Sequence, residues 1–141
     1  MADVLTKEQR RRNMQAIRSI SKLEGIVSKE LWNRGLRFRR NVKDLLGKPD
    51  IAIKKYKVVI FIDSCFWHNC EIHGRIPATN TDFWKEKFQK NRERDERINN
   101  HYLDLGWHIL RIWEHEVKQD FNGAIDKIIN FIQTAKDKKQ S

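Results

Sequence analysis

The chain has 141 residues and a mass of 17.0 kDa, enough for one domain with a single core of two or three layers. Lys and Arg number 29 against 19 Asp and Glu, giving a net charge of +10, and such an excess on a small domain faces a polyanion, most commonly nucleic acid. No run of about 18 apolar residues is present to span a membrane, and residues 1–20 lack the apolar core of an export signal.

The basic excess is local. Residues 1–22 carry six basic and two acidic side chains, and residues 34–57 carry nine and two, so both segments supply phosphate contacts. Residues 1–20 read as a basic arm or helix on DNA, 21–135 as the folded domain, and 136–141 as a polar disordered tail. An amphipathic helix fits Ser21 to about Asn33, with Leu23, Ile26, Val27 and Leu31 on one side and Gly35 as its stop. Phe38–Val42, Asp50–Lys54 and Lys57–Asp63 read as strands, the last nearly continuous in apolar residues and so buried on both faces. A loop rich in Cys, His, Asn, Gly and Pro follows over 64–80. A second helix is expected from Asp82 to Leu105, with Thr81 as cap and Gly106 as terminator. Trp107–Trp113 alternates as a strand, and Ala124–Ala135 closes the chain as a helix. This order predicts an α/β fold, a three-layer α/β/α sandwich around a central mixed sheet.

Asp50 opens one strand and Asp63 closes the next. A tight hairpin puts both at the same end of neighbouring strands, where two carboxylates hold Mg²⁺ with water left for chemistry. Taken singly, Asp50 is also a plain turn residue after Pro49, and Asp63 a plain strand end. Glu24 lies at i, i+3, i+7 with Val27 and Leu31, either on the inward side of its helix or at a flank reaching water. A Pro-Asp at a strand start, an acidic strand end and a helical Glu resemble the PD-(D/E)xK nucleases. The lysine of that motif is missing, because Ser64 and Cys65 follow Asp63, so another group must activate the water.

Ser64-Cys65-Phe66-Trp67-His68-Asn69-Cys70 is the most informative stretch. Phe66 and Trp67 either fold back into the core or wedge into a base stack. His68, with an ordinary imidazole pKa near ~6.5, suits proton removal from water, or is a surface or metal-bound histidine. Cys65, Cys70 and His73 give C-x4-C-x2-H spacing, three zinc ligands short of a fourth. His115 is the best fourth, with His68, His101 and His108 poorer. The two cysteines fit a metal in a reduced cytoplasm better than a disulfide. On the second helix Trp84, Lys87, Asn91 and Asp95 form one stripe, its polar members bordering a groove or facing solvent.

Met1-Ala2-Asp3-Val4, Arg12-Asn13-Met14 with Ala16-Ile17, Gly47-Lys48-Pro49-Asp50, Cys65-Phe66-Trp67-His68, Pro77-Ala78-Thr79 with Phe83-Trp84, Asn91-x-x-Arg94-Asp95, Leu105-Gly106-Trp107 and Trp113-Glu114 together resemble the very-short-patch repair (Vsr) endonucleases. The resemblance runs from Met1 to about Glu116. It implies a restriction-endonuclease-like fold and a strand-specific nick 5′ of the thymine in T·G mismatches left by 5-methylcytosine deamination. It also implies Mg²⁺ on Asp50, His68 as general base and Glu24 as a nearby helical acid. Phe66, Trp67 and Trp84 match intercalating aromatics, Met14 with Arg12 the N-terminal arm, and Lys87 and Asn91 the mismatch-reading pair. Cys65, Cys70, His73 and His115 match a structural zinc site. At the metal, a family member uses the main-chain oxygen of a threonine where Ile62 stands here, and has a histidine where Asp63 stands. Asp63 therefore joins or replaces that oxygen, and its repulsion from Asp95 calls for a metal or a proton between them. Implied partners are double-stranded DNA and, functionally, a cytosine-5 methyltransferase, for a monomer in the bacterial cytoplasm at the nucleoid. Two other classes fit less of the sequence: a nickase of a restriction–modification system with altered specificity, and a catalytically silent DNA-binding module.

Overall fold

The computed structural model describes residues 6–65 and 80–140. Helix α1 (Lys7–Asn33) starts well before the expected Ser21. The Thr6 hydroxyl accepts the Gln9 N–H at 3.0 Å and the Gln9 side chain accepts the Thr6 N–H at 3.2 Å, a capping box that nucleates the helix at its polar end. Its first turns are charged all round, so apolar periodicity could not reveal them, and no element boundary falls between the expected arm and the domain. At the far end Gly35 takes φ +96°, and the bonds Gly35 N–H to Trp32 and Leu36 N–H to Leu31 close the helix.

The sheet holds β1 (Arg39–Arg40), β2 (Ile51–Ile53), β3 (Val58–Asp63) and β4 (His108–Trp113), in that spatial order. The first three run antiparallel, and β3 pairs with β4 in parallel across helix α2 (Thr81–Asp104). β1 is shorter than the expected Phe38–Val42, although Asn41 and Val42 still donate to Asp50 and Pro49. α2 starts one residue before the expected Asp82, and its cap is Asn80 rather than Thr81. Helix α3 (Glu114–Gln119) was not expected; helix α4 (Phe121–Gln140) runs past both ends of the predicted one, so 136–140 is helical rather than a disordered tail.

Alternation sorts β3 between two cores. Val58, Ile60 and Ile62, with Ile51, Ile53 and Ile112, pack on Leu23, Val27 and Leu31 of α1, Val117 of α3 and Ile125, Ile128 and Ile132 of α4. Val59 and Phe61, with Ala52 and Val42, pack on Ile98 and Tyr102 of α2. Helices therefore cover both faces, as the apolar run in β3 requires. Each fully buried aliphatic side chain contributes about 1.5–3 kcal/mol, and a one-residue slip of β3 would exchange its two faces. Among the described residues no helix is long and apolar enough to cross a membrane.

Candidate active site

The loop between β1 and β2 delivers Asp50. Gly47 (φ +78°) and Lys48 (φ +51°) turn the chain sharply, and Gly47 lies so close to α2 that a β-carbon there would meet the Ile98 Cδ1 at 2.8 Å. The Tyr102 hydroxyl donates to the Leu46 carbonyl at 2.5 Å and fixes the same loop from α2. Asp50 then enters β2 beside the end of β3, and its carboxylate accepts the Ile62 N–H at 2.7 Å. The antiparallel register (Ile51 opposite Ile60) brings Asp50 and Asp63 to one end of the sheet, as a tight hairpin requires.

That end opens into a cleft of about 1000 Å³ whose walls include Glu24, Asp50, Ile62, Asp63, Asp95 and Arg111. Glu24 faces the cleft from α1, so its helical position is the inward one. Burial pushes its carboxyl up to about 8, its hydrogen bond with Asp50 and the Asp50 charge push the same way, and Arg40 and Lys48 offset only part of this. Two carboxyl groups held in contact at a cleft wall fit a hard divalent cation, which prefers oxygen ligands and tolerates water in the remaining positions. Among the described residues no group of three or more His, Cys, Asp or Glu side chains forms a ready-made metal cluster. A Mg²⁺ here would rest on this carboxylate pair, main-chain oxygen and water.

Asp63 lines the same cleft but has a different partner. Its Oδ1 accepts from Arg111 Nη1 at 2.9 Å, while Arg111 Nη2 lies 3.6 Å from Asp95. A guanidinium thus stands between the two acids, where the sequence called for a metal or a proton. Arg111 and its second partner Asn99, which accepts from Nε at 2.6 Å, are site residues the sequence reading missed. An arginine between Leu110 and Ile112 in the middle of a strand was the available signal, since a buried cation needs an acid.

Cys65 is buried, and its Sγ lies 3.2 Å from His115 Nδ1. Two soft ligands at that spacing fit neighbouring corners of a zinc tetrahedron. The other two expected ligands, Cys70 and His73, lie outside the described residues, as do Phe66, Trp67 and His68. His108 begins β4 at the opposite end of the sheet from Cys65, and His101 lines the acidic cleft, so neither competes with His115. Glu114, also missed, joins three elements here. Its carboxylate accepts from the Cys65 N–H at 3.3 Å and the Ser19 hydroxyl at 3.1 Å, and pairs with Lys118 at 2.9 Å. Burial works to raise its pKa, but Lys118, the Cys65 N–H and Ser19 outweigh burial and hold it below the usual carboxylate range.

On the expected DNA-facing surface, Met14 is 49% exposed and Ile17 44% exposed on the outer half of α1, with Arg12 exposed beside them. Lys87 is exposed and Asn91 half-buried on the α2 stripe that leads to Asp95 in the cleft. Trp84 differs from expectation. It is 1% exposed between the Phe83 and Phe88 rings, and Phe83, 38% exposed, is the aromatic that reaches solvent at this end of α2.

The family model for the DNA mismatch endonuclease Vsr matches residues 2–73. The chain is 42% identical over 130 residues to the type II nicking enzyme V.NaeI of Lentzea aerocolonigenes, spanning 88% of this chain and 78% of that one. It is 44% identical over 121 residues to the type II nicking enzyme V.NmeAIP of Neisseria meningitidis, spanning 84% and 86%. Against the DNA mismatch endonuclease Vsr of Escherichia coli it is 42% identical over 116 residues, spanning 81% and 74%.

Proposed function

The chain belongs to the DNA mismatch endonuclease Vsr family, and on that premise we propose that it is a Mg²⁺-dependent endonuclease that nicks one strand 5′ of the thymine in T·G mismatches. The observation that carries this reading is the contact between Glu24 and Asp50 at the wall of a cleft that also receives the α2 stripe. Asp50, Glu24 and the main-chain oxygen of Ile62 would hold Mg²⁺, which when bound offsets the charge that builds on the scissile phosphate. His68, five positions after Asp63 in the sequence, takes the proton of the attacking water and so fills the role of the missing lysine. Lys43, Lys48 and Arg94 line the same cleft and draw the phosphate backbone toward it. Lys87 and Asn91 read the mismatched pair from the groove, while Met14 enters from α1 and Phe66, Trp67 and Phe83 hold the bases apart. Cys65, Cys70, His73 and His115 bind a structural Zn²⁺ that staples the segment after β3 to α3.

The partner is duplex DNA, the natural setting is the bacterial cytoplasm at the nucleoid, and a monomer suffices because one chain supplies every proposed group. The lesion itself ties the protein functionally to a cytosine-5 methyltransferase.

The names of the relatives favour a second reading, since type II nicking enzymes stand among them beside the mismatch endonuclease. Here the chain is a nickase attached to a restriction–modification system, with a different or relaxed target. One assay separates the two. Nicking of a T·G duplex with Mg²⁺, and none of the matched duplex, supports the first, and equal nicking of both supports the second. An Asp50→Ala protein that still nicks would refute the site itself.

A further inference from the structure

Four of the acids that line the cleft, Glu24, Asp50, Asp63 and Asp95, fall into two pairs, one of them gathered by a single arginine. Arg111 lies beside Phe61 across the parallel β3–β4 pairing, and its guanidinium sits 4.4 Å from the centre of the Phe61 ring. From there Nη1 binds Asp63 on β3, Nε binds Asn99 on α2, and Nη2 faces Asp95 one helical turn before Asn99. Asp63 is buried and the Arg111 side chain is only 17% exposed, so these charges interact with little solvent screening. Glu24 and Asp50 touch each other instead, with Arg40 and Lys48 acting on Glu24 only through their charge.

We propose that Arg111 is a positioning residue of the nicking centre: it claims Asp63 and Asp95, and so leaves Glu24 and Asp50 as the pair that holds the divalent cation. Asp63 is then not a metal ligand, although it stands at the strand end beside the site. Its Oδ1 is held by the guanidinium, and the bond fixes the end of β3 from which the Ile62 N–H donates to Asp50. This inference rests on the cation site proposed above and deepens it.

The test uses the full chain and Mn²⁺ as the probe, with binding measured by calorimetry without DNA and stability by thermal unfolding. Asp63→Asn leaves Mn²⁺ affinity within about twofold of wild type, whereas Asp50→Asn weakens it by about tenfold or more. Arg111→Met removes the guanidinium from beside two acids and lowers the melting temperature by about 10 °C, and Asp63→Asn/Arg111→Met recovers at least half of that loss. Arg111→Lys keeps the charge without the fork and falls between wild type and Arg111→Met. In nicking, Arg111→Met lowers kcat while KM for the duplex stays near wild type.

Loss of Mn²⁺ affinity in Asp63→Asn as large as in Asp50→Asn overturns the division of the acids. A double variant no more stable than Arg111→Met overturns the pairing. Asp50→Asn binding Mn²⁺ as wild type overturns the cation site itself and with it the metal half of this inference, while the unfolding cycle still decides the Arg111 pairing.

Discussion

Glu24 carries an uphill ionisation in the metal-free protein. Burial and the neighbouring Asp50 raise its pKa from 4.5 to about 8, so the folded chain keeps a proton that the unfolded chain gives up near the ordinary value. Between those two values the native state binds more protons than the unfolded state, and stability falls as pH rises. The melting temperature without added Mg²⁺ or Mn²⁺ should therefore drop from pH 5 to pH 8 and level off above. Glu24→Gln, which has no proton to lose, should flatten that slope, and a slope equal to wild type would place the titration elsewhere. A divalent cation competes with the same proton, so its affinity should rise across the same range. At this scale the sequence disclosed more of the types than of the pairings. Asp50, Asp63, Glu24 and Asp95 each stood out by position, but strand alternation cannot tell which acid meets which cation. Arg111 is separated from Asp63 by 48 positions, and only the parallel register of β3 with β4 brings them together.

The β1–β2 loop and the α2–β3 layer are joined at one glycine. Gly47 combines a positive φ with a β-carbon position 2.8 Å from Ile98, so both the backbone and the packing resist a side chain. Gly47→Ala should cost about 1–3 kcal/mol, seen as a lower urea midpoint with an unchanged slope. Because the same loop delivers Asp50, nicking should weaken more than stability alone accounts for. The proposed zinc site would couple elements in the same way, since Cys65 follows β3 and His115 lies in α3. Purified protein should contain about one zinc per chain, and His115→Ala should lower both zinc content and the melting temperature. Zinc-free wild-type protein would refute the ligand set. The elements with strong periodicity, β3 and the inner half of α1, were legible because burial leaves a pattern in the sequence. α3 left none: its six residues make too few turns for a period, and it is held by the Glu116 side chain accepting the Trp113 N–H at 3.2 Å. The outer half of α1 was hidden for the opposite reason, because it buries little and is fixed by its cap.

Across the whole molecule the charges are segregated by purpose. The net charge is +10, and four acids, Glu24, Asp50, Asp63 and Asp95, are gathered in the cleft, away from the basic outer half of α1. On the outer half of α1, Arg11 and Arg12 both pair with Glu8, but these bonds are exposed and worth little, so either guanidinium can exchange its carboxylate for a phosphate. Lys87 and Asn91 sit instead on the α2 stripe that leads into the cleft, where base edges rather than phosphates would meet them. The two surfaces should separate in one binding experiment. The log of affinity for a T·G duplex should fall linearly with the log of salt, and Arg12→Ala should make that slope shallower by about one unit. The same variant should weaken matched and mismatched duplexes alike, because a phosphate contact carries no sequence information. Lys87→Ala and Asn91→Ala should leave most of the slope and instead narrow the preference for T·G over matched DNA, by about 1–3 kcal/mol for a lost base contact. Equal effects of all three substitutions on slope and on preference would mean that α1 and α2 do not divide the work.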